Sequence, residues 1–172
     1  MNNVTTEVSL CGTRTALYGA LPAVGSSAPD FILVNSKLKN NTLKNYSGKK
    51  KLLYIVPSLD TSVCATSSKK FSELATDKPD NSVILIISSD LPFAQTRFCT
   101  ELNTNSITLL STMRSEDFAK DYGVLIMDGP LAGLTTRAVL VLDEKNNVLY
   151  SELVAEISDE PDYQRAFAAL TE

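Results

Sequence analysis

A cysteine stands near the predicted start of a helix in the run Pro57-Ser58-Leu59-Asp60-Thr61-Ser62-Val63-Cys64. The apolar segment from Lys51 to Val56 precedes this run and is predicted to be a central strand. Apolar residues at helical spacing continue to about Ala75, and Asp60, Thr61 or Ser62 can supply the N-cap. A thiol at a helix N-terminus lies near unpaired backbone N–H groups and the positive end of the helix dipole, which favour the thiolate. The sequence therefore predicts that Cys64 is a reactive nucleophile.

The order of elements on either side of this run predicts an α/β domain with a mixed central β-sheet flanked by helices, because strands and helices alternate and a hairpin comes late. The predicted elements are an N-terminal β-hairpin (7–10 and 15–18), strands 31–34 and 51–56, helix 63–75, strand 82–88, helix 92–100, strand 107–110, helix 115–123, a second hairpin (137–142 and 147–154) and helix 161–170. This is the element order of a thioredoxin-like fold. We expect residues 1–172 to form a single domain, with residues 1–20 as a β-hairpin extension.

Composition and charge exclude several classes of protein. A formal net charge of −4 argues against nucleic-acid binding, which needs clustered Lys and Arg. No uninterrupted apolar run approaches the ~20 residues of a membrane span. The N-terminal residues lack the basic region and apolar stretch of a secretory signal. We therefore expect a cytoplasmic protein that binds neither membrane nor nucleic acid.

The residues that are missing also narrow the chemistry. The chain has no histidine, which rules out Cys-His and Ser-His nucleophile pairs and a histidine-ligated haem. Its three cysteines, Cys11, Cys64 and Cys99, are too few for an all-cysteine zinc site and too scattered for a Cys-x-x-Cys motif. We expect thiol chemistry that uses no metal and no cofactor.

Two motifs carry a family resemblance. The pattern Pro57-x-x-x-Thr61-x-x-Cys64 resembles the active-site pattern of the peroxiredoxins. The run Ser89-Asp90-Leu91-Pro92-Phe93-Ala94-Gln95-Thr96-Arg97-Phe98-Cys99 resembles the segment that holds the resolving cysteine in the bacterial thiol peroxidases, which are atypical two-cysteine peroxiredoxins. Further matches lie between Tyr122 and Val139 and in the tail from Asp159 to Tyr163, so the resemblance covers essentially the whole chain. It implies a thioredoxin-like fold, a hydroperoxide substrate, thioredoxin as reductant and a homodimer.

The resemblance also implies a role for each residue of the site. Cys64 attacks the peroxide, Thr61 orients it, Arg137 pairs with the Cys64 sulfur, and Pro57 shields the pocket from water. Cys99 then resolves the Cys64 sulfenic acid as a disulfide. The residues alone leave simpler interpretations open. Thr61 could be only a helix cap, Arg137 a surface cation on a strand, Pro57 a strand terminator and Cys99 an inert buried cysteine.

Three further questions stay open at this point. The alternative function is a thiol-disulfide oxidoreductase or peroxide-sensing relay on the same fold, and a non-catalytic thioredoxin-like interaction domain is a third class. Cys11 lies at a predicted hairpin turn, matches no active position and is predicted to be a bystander. In a homodimer, Asp60 and Arg114 could pair across the interface, since a carboxylate and a guanidinium bind each other bidentately. An ordinary surface role for Arg114 is equally compatible with the sequence.

Overall fold

The computed structural model describes residues 6–102, 106–115 and 117–172. The strands are β1 Glu7–Leu10, β2 Thr13–Tyr18, β3 Leu33–Val34, β4 Asn40–Asn41, β5 Lys50–Val56, β6 Ser82–Ser88, β7 Thr108–Ser111, β8 Leu125–Ile126, β9 Ala138–Leu142 and β10 Val148–Leu153. The α-helices are α1 Ser62–Leu74, α2 Pro92–Leu102, α3 Phe118–Asp121 and α4 Tyr163–Thr171, and a 3-10 helix spans Leu43–Tyr46. Within this part of the chain, none of the helices has the length and apolar character needed to cross a membrane.

Seven strands form a mixed central sheet in the order β10-β9-β5-β6-β7-β3-β4. The three middle strands β5, β6 and β7 are parallel, and β9 pairs antiparallel with β5. Because both faces of β5 are covered, its sequence is a nearly continuous apolar run instead of an alternating one. The mixed α/β architecture predicted from the element order is confirmed.

The pleat of the sheet divides the core into two layers. Leu53 and Ile55 of β5 face one layer, which also contains Phe118 of α3. Leu52, Tyr54 and Val56 face the other layer, which contains the buried residues of α1, α2 and α4. In this second layer the Tyr54 and Phe71 ring centroids are 4.8 Å apart, and those of Phe71 and Tyr163 are 5.1 Å apart. Helix α1 is therefore held on the sheet by a fully buried Phe71, whose removal by Phe71→Ala would cost about 3–5 kcal/mol of folding free energy.

The N-terminal hairpin forms a separate three-stranded sheet in the order β1-β2-β8. The Glu156 carboxylate joins the hairpin to the segment before α4, because it accepts hydrogen bonds from Ser9 Oγ at 2.5 Å, Cys11 N at 2.9 Å and Gly12 N at 3.1 Å. These bonds lower the pKa of Glu156 to about 2, so the carboxylate keeps its charge in all but strong acid.

Several predicted boundaries are wrong. The predicted strand 31–34 is confined to Leu33–Val34, and β2 begins two residues earlier than expected, at Thr13. The helix expected from Ser115 is the single turn Phe118–Asp121, and residue 116 lies outside the described residues. The predicted N-terminal hairpin is confirmed. The division of the chain into one domain with residues 1–20 as an extension stays a prediction, and residues 1–5 lie outside the described part.

Candidate active site

The first turn of α1 holds Cys64. Thr61 is the N-cap of this helix, with extended backbone angles, and its Oγ1 accepts a hydrogen bond from Cys64 N at 3.3 Å. The Thr61 hydroxyl donates to the carbonyl of Ser58 at 3.3 Å. An N-cap of this kind stabilises a helix by ~1 kcal/mol. The cap interpretation of Thr61 is therefore confirmed, and the exposed Thr61 side chain lies three residues from the thiol.

The Cys64 thiol is fully buried and contacts a buried arginine. The Nη2 atom of Arg137 donates a hydrogen bond to Cys64 Sγ at 3.2 Å. Arg137 is only 1% exposed, so its interpretation as a surface cation is wrong. The structure thus brings together two residues that are 73 positions apart in sequence.

Two further groups fix the guanidinium, and the motifs named neither of them. The hydroxyl of Tyr54, on β5, accepts a hydrogen bond from Arg137 Nη1. The carbonyl of Ile157 accepts one from Arg137 Nε at 2.9 Å. Because Nε and Nη1 of Arg137 are engaged by these two acceptors, the remaining nitrogen, Nη2, is directed at the Cys64 sulfur. Tyr54 shares a face of β5 with Leu52 and Val56, the face that α1 covers, but no sequence pattern joined Tyr54 to Arg137.

The electrostatics of this group favour a charged guanidinium. Burial opposes the charge of Arg137, but the neighbouring Tyr54 and Cys64 outweigh it, and the pKa of Arg137 is raised. Burial also raises the pKa of Tyr54 well above its ordinary value, so its hydroxyl stays neutral and accepts the hydrogen bond. None of the ion pairs found among the described residues involves Arg137. The guanidinium contacts the Cys64 sulfur, the Tyr54 hydroxyl and the Ile157 carbonyl instead.

Cys99 lies on α2, on the same face of the sheet as Cys64. Both thiols are free, and Cys99 is half-buried against the core layer that contains Cys64. Burial raises the pKa of the Cys99 thiol above its ordinary value of 9.0. The two cysteines therefore differ in environment, because Cys64 contacts a buried cation whereas the partial burial of Cys99 favours its neutral thiol.

The remaining predicted residues lie at the edge of this group. Pro57 is buried and directly follows β5. Cys11 has a positive φ of 50° in the turn between β1 and β2, is exposed, and lies 3.8 Å from Ser158 Oγ. No cluster of three or more Cys, Asp or Glu residues is arranged to hold a metal ion in the described ranges.

Asp60 and Arg114 each have partners within the chain. Asp60 Oδ1 lies 3.5 Å from Arg97 Nη2, and both side chains are largely exposed. Arg114 Nη1 donates to the Leu38 carbonyl at 3.0 Å and to Asn40 Oδ1 at 2.9 Å. Their pairing across a dimer interface stays a prediction.

A thioredoxin-like sheet that presents a cysteine at a helix N-terminus, in contact with a buried arginine, is the arrangement expected of a peroxiredoxin. Residues 23–167 match the redoxin family. The chain is 48% identical over 166 residues to a thiol peroxidase of Leptospira interrogans, a match that covers 95% of this chain and 96% of that protein. The chain therefore belongs to the redoxin family, among the thiol peroxidases.

Solved structures agree with this assignment. The chain superposes on a peroxiredoxin-like protein of Aquifex aeolicus with a TM-score of 0.90 and 36% identity, over 96% of each chain. It superposes on the thiol peroxidase of Chromobacterium violaceum with a TM-score of 0.86 and 30% identity, over 92% of this chain and 91% of that one. The predicted family and the predicted thioredoxin-like fold are thereby confirmed.

Proposed function

We propose that this chain is a thiol-dependent peroxidase that reduces hydrogen peroxide and organic hydroperoxides, with Cys64 as its nucleophile. The observation that carries the proposal is the hydrogen bond of 3.2 Å from Arg137 Nη2 to Cys64 Sγ inside a buried site. A cation held there stabilises both the thiolate and the negative charge that develops on the leaving oxygen. A non-catalytic interaction domain would have no use for a buried guanidinium directed at a thiol.

The proposed reaction has three balanced steps. The Cys64 thiolate attacks one peroxide oxygen, the O–O bond breaks, and the other oxygen leaves as an alkoxide or hydroxide that takes up a proton. Cys64 is then a sulfenic acid, oxidised by two electrons. The Cys99 thiol displaces water from it and forms the Cys64–Cys99 disulfide. The dithiol of thioredoxin reduces this disulfide back to two thiols and becomes a disulfide itself.

The environment of Cys99 supports this order of events. Because burial raises the pKa of Cys99, the residue stays a neutral thiol while Cys64 meets the peroxide. The disulfide needs the two sulfur atoms at about 2.05 Å, so we infer that α2 unwinds locally after Cys64 is oxidised. That movement also exposes Cys99, which removes the cause of its raised pKa and makes it a better nucleophile.

The other residues complete the proposed site. Pro57, buried at the end of β5, limits access of water, and the Thr61 hydroxyl orients the peroxide once substrate displaces its bond to Ser58. A homodimer in the cytoplasm is part of the same proposal.

Peroxide titration tests the proposed function directly. We expect one equivalent of hydrogen peroxide or cumene hydroperoxide to remove two hydrogen atoms from the reduced protein, with peptide mapping that links Cys64 to Cys99. A Cys11→Ser variant is the matched control and should behave identically. Reaction no faster than that of free cysteine would contradict the peroxidase assignment. Fast oxidation without turnover on a generic dithiol would favour the relay function instead.

A further inference from the structure

Asp90 lies between β6 and α2, and its carboxylate is the centre of a group of short hydrogen bonds. Oδ1 accepts from Ser58 Oγ at 2.7 Å. Oδ2 accepts from Leu59 N and from Ser88 Oγ, each at 2.7 Å. Asp90 forms no ion pair among the described residues, so its charge is balanced by these donors instead of by a cation. Two of the three donors belong to the loop that precedes Cys64.

A continuous series of hydrogen bonds leads from Asp90 to Cys64. Ser58, which donates to Asp90, accepts from Asp60 N through its hydroxyl at 3.2 Å. The Ser58 carbonyl accepts from Thr61 Oγ1 at 3.3 Å and from Thr61 N at 3.4 Å. Thr61 Oγ1 in turn accepts from Cys64 N at 3.3 Å. The position of the helix N-cap thus depends on Ser58, and the position of Ser58 depends on Asp90.

The other side of Asp90 is anchored to the central sheet. Ser88 and Ser111 are the last residues of two parallel strands, are opposite each other in register, and are both fully buried. Ser111 Oγ donates to the Asp90 carbonyl at 2.5 Å, and the Ser88 hydroxyl accepts from Gln95 Nε2 at 3.0 Å. Asp90 is therefore attached to a rigid strand end, and the loop before Cys64 is attached to Asp90.

We propose that Asp90 is a positioning residue for peroxide reduction, which holds the loop from Ser58 to Thr61 in the geometry that presents Cys64 and Thr61 to the peroxide. This inference rests on the proposed peroxidase function. Asp90 touches neither the sulfur nor the substrate, and it acts through Ser58 and Thr61. Since attack on an O–O bond requires the sulfur and the orienting hydroxyl to be aligned, a loose loop slows this step more than it slows reactions of the thiol that need no alignment.

The Asp90→Asn variant tests this proposal because the amide has the size of the carboxylate but carries an NH₂ group in place of one acceptor oxygen. An NH₂ group at the Oδ2 position would face Leu59 N, which can only donate, and at the Oδ1 position it would require the Ser58 hydroxyl to turn and accept. In both orientations the negative charge is lost, which weakens the hydrogen bonds that remain. In a Cys11→Ser, Cys99→Ser background, where Cys64 is the only thiol, we expect its rate constant with hydrogen peroxide to fall on the order of 10- to 100-fold. The rate of alkylation by iodoacetamide should stay the same or rise, because a looser loop exposes the buried thiol.

Two controls separate positioning from a general loss of structure. Asp80→Asn makes the same chemical change at an exposed carboxylate and should leave both rates unchanged. Ser58→Ala removes one of the hydrogen bonds that Asp90 accepts and should lower the peroxide rate less than Asp90→Asn does. The effects of the two substitutions should not be additive in the double variant. An unchanged peroxide rate in Asp90→Asn, or equal falls in the peroxide and alkylation rates, would overturn the proposal. If the peroxidase function itself is wrong, the parent protein that keeps Asp90 already reacts with hydrogen peroxide no faster than free cysteine does.

Discussion

The hydroxyl of Tyr54 offers a sharp test of how the site is built. Tyr54→Phe keeps the ring that packs 4.8 Å from Phe71 but removes the acceptor of Arg137 Nη1. Both side chains are buried, so water does not readily replace the lost partner. Hydrogen bonds to charged groups contribute about 1.5–3 kcal/mol, and if all of this is lost in the transition state, kcat/KM for peroxide falls about 10- to 150-fold.

The assay for Tyr54→Phe combines kinetics and stability. Reduction of cumene hydroperoxide is followed under single-turnover conditions, so that only the reaction of Cys64 is observed, and urea unfolding gives the free energy of unfolding of the reduced protein. Tyr46→Phe is the matched control, because it also removes a hydroxyl, one that donates to Asn41 Oδ1 at 3.1 Å on another part of the sheet. We expect Tyr46→Phe to keep the peroxide rate of the unsubstituted protein.

Two results would refute the reasoning about Tyr54. A stable Tyr54→Phe protein with unchanged kcat/KM would mean that Ile157 alone orients Arg137. A similar loss of rate in Tyr46→Phe would mean that the effect comes from the stability of the fold and not from the guanidinium.

Four further outcomes are expected. Cys64→Ser should abolish peroxidase turnover, because a serine hydroxyl is too weakly acidic to replace a thiolate, and substantial residual activity would contradict the nucleophile assignment. Cys99→Ser should complete one turnover and then stop with thioredoxin as donor, whereas normal steady-state turnover would move resolution to another thiol. Burial raises the pKa of the Cys99 thiol in the folded protein above its ordinary value of 9.0. The burial of the neutral thiol therefore stabilises the reduced fold below pH 9, and this contribution is lost as pH rises through the higher folded-state pKa. The difference in unfolding free energy between the unsubstituted protein and Cys99→Ala should accordingly shrink above pH 9. Arg114→Ala should weaken a homodimer and slow peroxide reduction together. Sedimentation and peroxide kinetics measure the two effects, and an unchanged dimer with an unchanged rate would remove Arg114 from the mechanism.

Much of the candidate site could be predicted because its signals are local. The spacing of Pro57, Thr61 and Cys64 follows from one strand, one turn and the first turn of one helix, which adjacent residues dictate. Two short strands could not be predicted, because they depend on contacts with residues that are distant in the sequence. Strands β4 and β8 are two residues each, and they exist only because neighbouring strands supply their hydrogen bonds.

The sequence by itself determined the types and order of the main elements, the place of the nucleophile at a helix start and the exclusion of histidine chemistry, since these depend on periodicity, capping and composition. The family resemblance already implied that Arg137 pairs with the Cys64 sulfur, but only the tertiary structure decided that Arg137 is buried and that Tyr54 and Ile157 are its other partners. It also decided that Asp90 joins the loop before Cys64 to the ends of two parallel strands. Such contacts join residues far apart in the chain, and their geometry depends on how the sheet and helices pack, which no local pattern of residues encodes.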